Sequence, residues 1–326
     1  MMRSEISTET GTKTKIKKSH KNMTLEQREG LNGYIFISPW LIGFLLLTAG
    51  PMLFSLYASF TNYDITSRMD FIGIKNYIRM FTQDDLFWVS LWNTLYYVVI
   101  SVPLATAGAV LLALLLNQGI PGMRLFRTIF YLPAVLSGVG VYLLWMQLLN
   151  PDSGLVNTVL SWVGITGPAW LLDPNWTKPA LIFMRLWSLG GGMLLFLASL
   201  QGVSQSLYEA AEIDGANVFQ RFRHITLPMI SPVIFFEVVT GLIGGFQVFQ
   251  EAYVMTSGSS SGTSLGGPAN SLVFYNLHMF DKAFKSFDMG YAMAMSWILF
   301  FIVLILTVIN LKLAPKWVHY EGDEPK

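Results

Sequence analysis

The sequence predicts an all-α membrane protein with about six transmembrane helices, and three observations predict it. Hydrophobic residues make up 53% of the chain and charged residues only 13%, far from the roughly quarter-charged composition of soluble domains. Six apolar runs are each long enough, at a rise of about 1.5 Å per residue, to cross a hydrocarbon core of roughly 30 Å as helices. Tyr34, Trp92, Trp297 and Trp317 stand near run ends, where an aromatic belt at the membrane interface would place them.

Residues 1–30 are polar, rich in Thr and Lys and free of apolar period, which predicts a disordered tail. One membrane domain follows over 31–316, and 317–326 form a second tail. The first run, 34–60, is longer than the apolar core of a signal peptide and ends without a small-x-small cleavage site, so it is expected to be retained. After it, Ile74, Tyr77, Ile78 and Phe81 recur at helical spacing and predict an amphipathic helix on the outer membrane face. The remaining runs are 92–117, 125–149, 180–203, 229–255 and 291–313. The Gly/Ser-rich stretch before the last of them reads as a mobile outer loop.

Lys and Arg crowd the N-terminal tail, while the stretch 151–179 carries only Lys178. That asymmetry puts both termini in the cytoplasm, together with the loops holding Arg124 and Arg127 and holding Arg221 and Arg223.

Several function classes are disfavoured. The chain has no cysteine, which removes disulfides and thiolate metal sites, and a net charge of +1 argues against a nucleic-acid partner. The four histidines, His20, His224, His278 and His319, lie outside the runs and form no H-E-x-x-H, so neither a catalytic nor a metal site is expected. Gly258 to Gly262 match G-x-S-x-G, but low-complexity text matches it easily and a nucleophile elbow needs a strand before it and a helix after. No G-x-x-x-x-G-K-[ST] loop occurs, so ATP is not expected to bind this chain by that route. A secondary carrier, the other transporter class, often shows inverted half-repeats with ion-binding acids; no half-repeat stands out, and Glu237 is the only deep acid.

The stretch 204–228 is unlike the runs around it. Leu207 to Ile213 are helix formers, Asp214-Gly215 is a turn pair, and helical spacing resumes from Asn217. Val218, Phe219, Phe222 and Ile225 form one apolar stripe. Ala210 and Ala211 expose a small surface flanked by Glu209 and Glu212. Such a segment is either a docking knob for a cytoplasmic partner or a helix lying on lipid headgroups.

Glu209-Ala210-Ala211, Asp214-Gly215-Ala216 and Ile225-Thr226-Leu227-Pro228 resemble the cytoplasmic loop of permease subunits of binding-protein-dependent ABC importers. The segments FIGIKNYIRMF, LWNTLYYVV, LFRTIFYLPAVLSGVGVYLLWMQLLNPDSGLVN and FQVFQEAYVMT are similar to the carbohydrate-uptake branch, in particular its first, maltose-type permease. The resemblance implies a type I ABC importer permease fold in a bacterial cytoplasmic (inner) membrane. It implies a coupling helix at Glu209 to Gly215 that seats on a separate ATPase dimer, which carries ATP and magnesium. It further implies a second homologous permease, an extracytoplasmic solute-binding protein, a saccharide substrate and alternating access.

Charged and amide groups inside apolar spans are costly and therefore functional candidates. Arg185, Gln247, Gln250 and Glu251 stand out, although Arg185 and Glu251 near outer ends could simply snorkel and the nearby glycines could serve packing alone. The resemblance carries substrate contacts onto Met184, Trp187, Ser188 and Gly191 of the fourth run and onto Gly241, Gly244, Gly245 and Val248 of the fifth. An indole suits the apolar face of a pyranose and a hydroxyl its edge. The fifth run departs from the maltose pattern by its glycines, which predicts a wider cavity for a longer or bulkier oligosaccharide, and Arg185 admits an acidic sugar.

Overall fold

A computed structural model describes residues 25–64, 69–136, 138–257 and 266–319. The outermost tails and residues 258–265, with the G-x-S-x-G text, lie outside them. Apart from an isolated bridge between Thr61 and Phe71, every regular element among the described residues is helical. The chain divides into two compact units, up to Phe54 and from Ser55 onward.

In the first unit α1 (Leu25–Phe44) passes through a π turn (Leu45–Ala49) into α2 (Gly50–Ala58), whose last residues belong to the second. α1 begins at Leu25, inside the stretch expected as a disordered tail. The π turn has a local cause. Pro51 has no N–H to donate and its ring crowds the preceding turn, and the residue before it, Gly50, donates to Leu45 O, one residue further back than in an α-helix.

In the second unit α3 (Lys75–Thr82) is the amphipathic helix. Its inward face is Asn76 and Met80, and Asn76 donates to Ser59 O at 2.9 Å and Thr61 O at 2.8 Å. Ile74, Ile78 and Phe81 of the expected stripe are exposed, and Tyr77 turns inward to bond Ser59 Oγ at 2.8 Å. α4 (Asp85–Leu116) starts well before Trp92, because Asp84 caps it, accepting from Leu86 N and Phe87 N.

The third run is not one helix. α5 (Met123–Val135) and α6 (Val139–Leu148) lie at 104° to one another. Pro133 removes a ladder donor, Leu136 is extended, and Gly138 takes a φ of +88°. After α7 (Leu155–Trp162), the fourth run is α8 (Pro174–Trp187) and α9 (Gly190–Gly202), bent by 45°. At the bend Gly190 lets α9 meet the α5 backbone: a Cβ there would stand 2.5 Å from Phe130 O.

Then come α10 (Gln205–Ile213), α11 (Val218–Arg221), a π turn (Phe222–Thr226), α12 (Leu227–Met229) and α13 (Ser231–Phe246). α14 (Gln250–Ser257) completes the fifth span. α15 (Tyr275–Phe280) precedes the last span, α16 (Met289–Leu313). Among the described residues, helices long and apolar enough to cross a membrane number 4, or up to 6 with each bent pair taken as one span.

α4 is the axis of the second unit and packs against α8, α9, α13 and α15. Its buried positions, among them Phe87, Ser90, Thr94, Val98, Ser101, Ala105 and Ala109, follow three-and-four spacing and make one stripe. The stripe is small and weakly polar, which permits close helix approach where lipid offers no hydrophobic drive. Its hydroxyls are satisfied locally, Ser90 donating to Phe87 O and Thr94 to Ser90 O, each at 2.8 Å.

Candidate functional site

Four spans enclose a cavity of about 460 Å³. α8 contributes Met184, Arg185, Trp187 and the residue that ends it, Ser188; the α13–α14 span contributes Gly244, Val248, Gln250 and Glu251. α4 adds Tyr97, and α6 adds Tyr142 and Trp145. The break between α5 and α6 brings Pro133, Ala134, Leu136 and Gly138 to the same wall.

Most of the expected pathway residues therefore meet in one place. Gly191, Gly241, Gly245 and Gln247 do not line it. A Cβ at Gly191 would have nothing within 4 Å, whereas Gly241 and Gly245 are tight. A Cβ at Gly245 would stand 2.9 Å from Val98 and one at Gly241 3.1 Å from Val102, so these glycines bring α13 onto α4. They also clear Arg185: the same Cβ positions lie 3.6 Å and 3.4 Å from its two terminal nitrogens. Of the three glycines Gly241, Gly244 and Gly245, only Gly244 lines the cavity, with open space where a Cβ would stand.

Arg185 does not snorkel away. Its guanidinium is half-buried, reaches Ser101 Oγ at 3.4 Å and lies 5.9 Å from the centre of the Tyr97 ring. Trp187 meets Trp145 edge-on at 5.6 Å, and Trp145 meets Phe183 in the same way at 5.5 Å. An aromatic wall, hydroxyls and a charged group of each sign suit a ligand with apolar faces and polar edges. Glu237 does not line the cavity: its carboxylate packs over Gly192 of α9 and acts on Arg185 at longer range. Tyr97, Tyr142 and Trp145 carry no signal in the sequence, since aromatics in spans serve cores and lipid contact as readily as ligands.

The loop forms a compact hairpin. α10 ends in paired backbone bonds, Gly215 N to Glu212 O at 3.0 Å and Ala216 N to Ala211 O at 2.9 Å, closed by Gly215 at φ +79°. This glycine-terminated cap is the physical content of Asp214-Gly215-Ala216, with Ala216 packing back toward Ala211. α11 then opens with a capping box, Asn217 accepting from Gln220 N at 2.9 Å and Gln220 from Asn217 N at 2.8 Å. Tyr208 and Thr226 hydroxyls meet at 2.9 Å across the hairpin.

Ala210 is exposed and Ala211 half-buried, with Glu209 and Asp214 exposed beside them. Glu212 pairs within the chain, to Arg221 at 3.2 Å. The apolar stripe divides: Val218 and Phe219 are exposed with Ile213, while Phe222 and Ile225 turn inward. Ile225, Leu227 and Pro228 lie in the helical run that carries the hairpin into α13, and the π turn there repeats the device at Pro51, Leu227 N donating to Phe222 O ahead of Pro228.

Residues 86–318 match the family model for binding-protein-dependent transport system inner membrane components. The probable ABC transporter permease protein YesP of Bacillus subtilis (strain 168) is 41% identical over 300 residues, covering 91% of this chain and 95% of that protein. The lactose transport system permease protein LacF of Rhizobium radiobacter is 35% identical over 295 residues, 88% of this chain and 95% of the relative. A crystal structure of a bacterial alginate ABC transporter, in complex with alginate pentasaccharide-bound periplasmic protein, matches with a TM-score of 0.76 at 25% identity, over 89% of this chain and 96% of that one. The type I importer architecture expected from the resemblance is thus the one observed, and the chain belongs to the family of binding-protein-dependent transport system inner membrane components, as an ABC transporter permease.

Proposed function

We propose that the chain is the transmembrane permease subunit of an ATP-driven importer that takes up an oligosaccharide delivered by an extracytoplasmic binding protein. The observation that carries this reading is a covalent one: the hairpin of α10 and α11 joins α9 directly to α12 and α13, so both its ends lead into spans that wall the cavity. Relatives named for sugars and the binding-protein-dependent family support the substrate class and the partner.

In this reading Glu209, Ala210 and Ala211, with the Asp214-Gly215-Ala216 cap, form a coupling helix seated in a cleft of a separate ATPase dimer. That dimer holds the ATP and magnesium. The exposed Ile213, Val218 and Phe219 supply apolar contact at the tip, and the small Ala210 allows close approach. Closure of the ATPases moves the hairpin, and the walls attached through α9 and Pro228 rock between inward and outward access. A second, homologous permease completes the pathway, and both termini lie in the cytoplasm of a bacterial cell whose cytoplasmic membrane the protein spans.

The absence of cysteine makes the test direct. Ala211→Cys, in a complex assembled with the candidate partner permease and ATPase, is expected to crosslink to a cysteine in the ATPase cleft with a yield that changes on adding ATP. No crosslink from any position between Glu209 and Gly215, in a transport-active complex, returns the hairpin to a membrane-surface helix.

A further inference from the structure

Arg185 is the only cation among the described residues that lines the cavity. No carboxylate of the described residues lies within 4.0 Å of it. A guanidinium offers five N–H donors in a planar fork, and here no carboxylate meets them directly: its contacts are a long bond to Ser101 and the ring of Tyr97, with Glu237 of α13 acting on it only at longer range. Glu251, the acid of the same cavity, has the Tyr142 hydroxyl beside it. Gly241 and Gly245 set no side chain of α13 against the guanidinium. A charge held in a span with no carboxylate in direct contact is costly, and lining a wet path where it can meet a ligand is one reason to retain it.

Lys178 extends the pattern. It lies on the same face of α8, about two turns away, donates to Asn93 Oδ1 at 3.0 Å, sits 5.5 Å from the centre of the Tyr96 ring, and also has no carboxylate within 4.0 Å among the described residues. Two cations without ion pairs therefore lie over adjacent tyrosines of α4, one of them in the cavity.

We infer that the transported saccharide is anionic, a chain containing uronic acid, and that Arg185 receives its carboxylate through two parallel N–H bonds while Trp187 faces a pyranose ring. This rests on the reading of the chain as a sugar permease. Arg185 is then the specificity-determining residue of the cavity, because a neutral sugar leaves the fork unmatched and a carboxylate fills it.

The test is tryptophan fluorescence of the assembled complex, since Trp145 and Trp187 report on the cavity. The probes are trigalacturonate and its fully methyl-esterified form, which share a skeleton and differ in charge. The acid is expected to bind at least about tenfold more tightly than the ester. Arg185→Gln should bring that ratio to about one, and Arg185→Lys, which keeps the charge and loses the fork, should retain part of it. Equal binding of acid and ester by the native complex, no binding of the acid, or an undiminished ratio in Arg185→Gln overturns the inference. If Arg185→Gln does not assemble, the native ratio and its reduction in Arg185→Lys decide. Uptake by the native complex with its binding protein separates the two levels. ATP-dependent uptake of neutral oligosaccharides alone removes the anionic class and leaves the permease standing, whereas no ATP-dependent uptake of any saccharide removes the permease reading itself.

Discussion

The Tyr291 hydroxyl donates to the Asp84 carboxylate at 2.6 Å, tying the first turn of α16 to the start of α4. The same oxygen takes His278 Nε2 at 2.9 Å and stands 3.6 Å from Lys282 Nζ, while the other oxygen caps α4. One side chain thus serves as helix cap and as the junction of α4, α15 and α16. Replacing it with alanine leaves buried donors unmatched, and Asp84→Ala is expected to cost about 3 kcal/mol, read as a lower melting temperature of the purified complex.

The pH dependence of that junction has a defined sign. Burial opposes the Asp84 charge, but hydrogen bonds from His278 and Tyr291 and the nearby Lys282 outweigh it and hold the carboxyl well below the ordinary carboxylate range. A depressed folded value stabilises the fold above the unfolded pKa, about 3.9, and the gain is lost as pH falls through the folded value. The melting-temperature gap between the native protein and Asp84→Asn should be constant from pH 7 to about 5 and narrow progressively below about pH 4. A gap that already changes between pH 7 and 5 would instead assign the effect to a group other than this carboxylate.

Gly215 holds φ +79° in the cap that ends α10. Gly215→Val forces a β-branched residue into that region at a cost of about 1–2 kcal/mol. It should cut ATP-driven uptake while leaving saccharide binding in the cavity within about twofold, measured side by side on one preparation.

The glycines of the fourth and fifth spans should separate by packing. Gly245→Ala meets Val98 and the guanidinium of Arg185, and is expected to destabilise by about 1–3 kcal/mol. Gly191→Ala meets nothing within 4 Å and should be neutral or stabilising by up to about 1 kcal/mol. Thermal unfolding of the two variants, compared with the native protein, checks the pair.

Trp187 is exposed to the cavity and steadied by Trp145. Trp187→Ala should weaken saccharide binding about tenfold, in line with about 1–1.5 kcal/mol for a lost aromatic face. Trp187→Phe should recover most of it.

Hydropathy made the number of spans legible, but it is blind to direction. The third run stays apolar straight through Leu136 and Val139, so the 104° break leaves no trace in it, and only Pro133 and Gly138 mark the place. Asp84 and Asp85 look like the end of a membrane segment, yet as cap and first turn they start a helix that outruns the apolar run. The hairpin was legible almost residue by residue because its determinants are local: a Gly cap, an Asn cap, a proline. The Asp84 junction was not, since His278 and Tyr291 lie 194 and 207 residues away. In the cavity, charge drew attention to Arg185 and Glu251, and nothing in the residue type distinguished Tyr97 or Trp145 from ordinary span aromatics.

The break between α5 and α6 brings Pro133, Ala134, Leu136 and Gly138 to the cavity wall. Where a span is interrupted, backbone amides and carbonyls leave the helical ladder and become free to meet a hydroxylated solute inside the bilayer. These groups exist whatever side chains evolution tries nearby. A transporter built this way would keep a constant grip on the feature common to all sugars, the hydroxyl, and could exchange its side chains to choose among them.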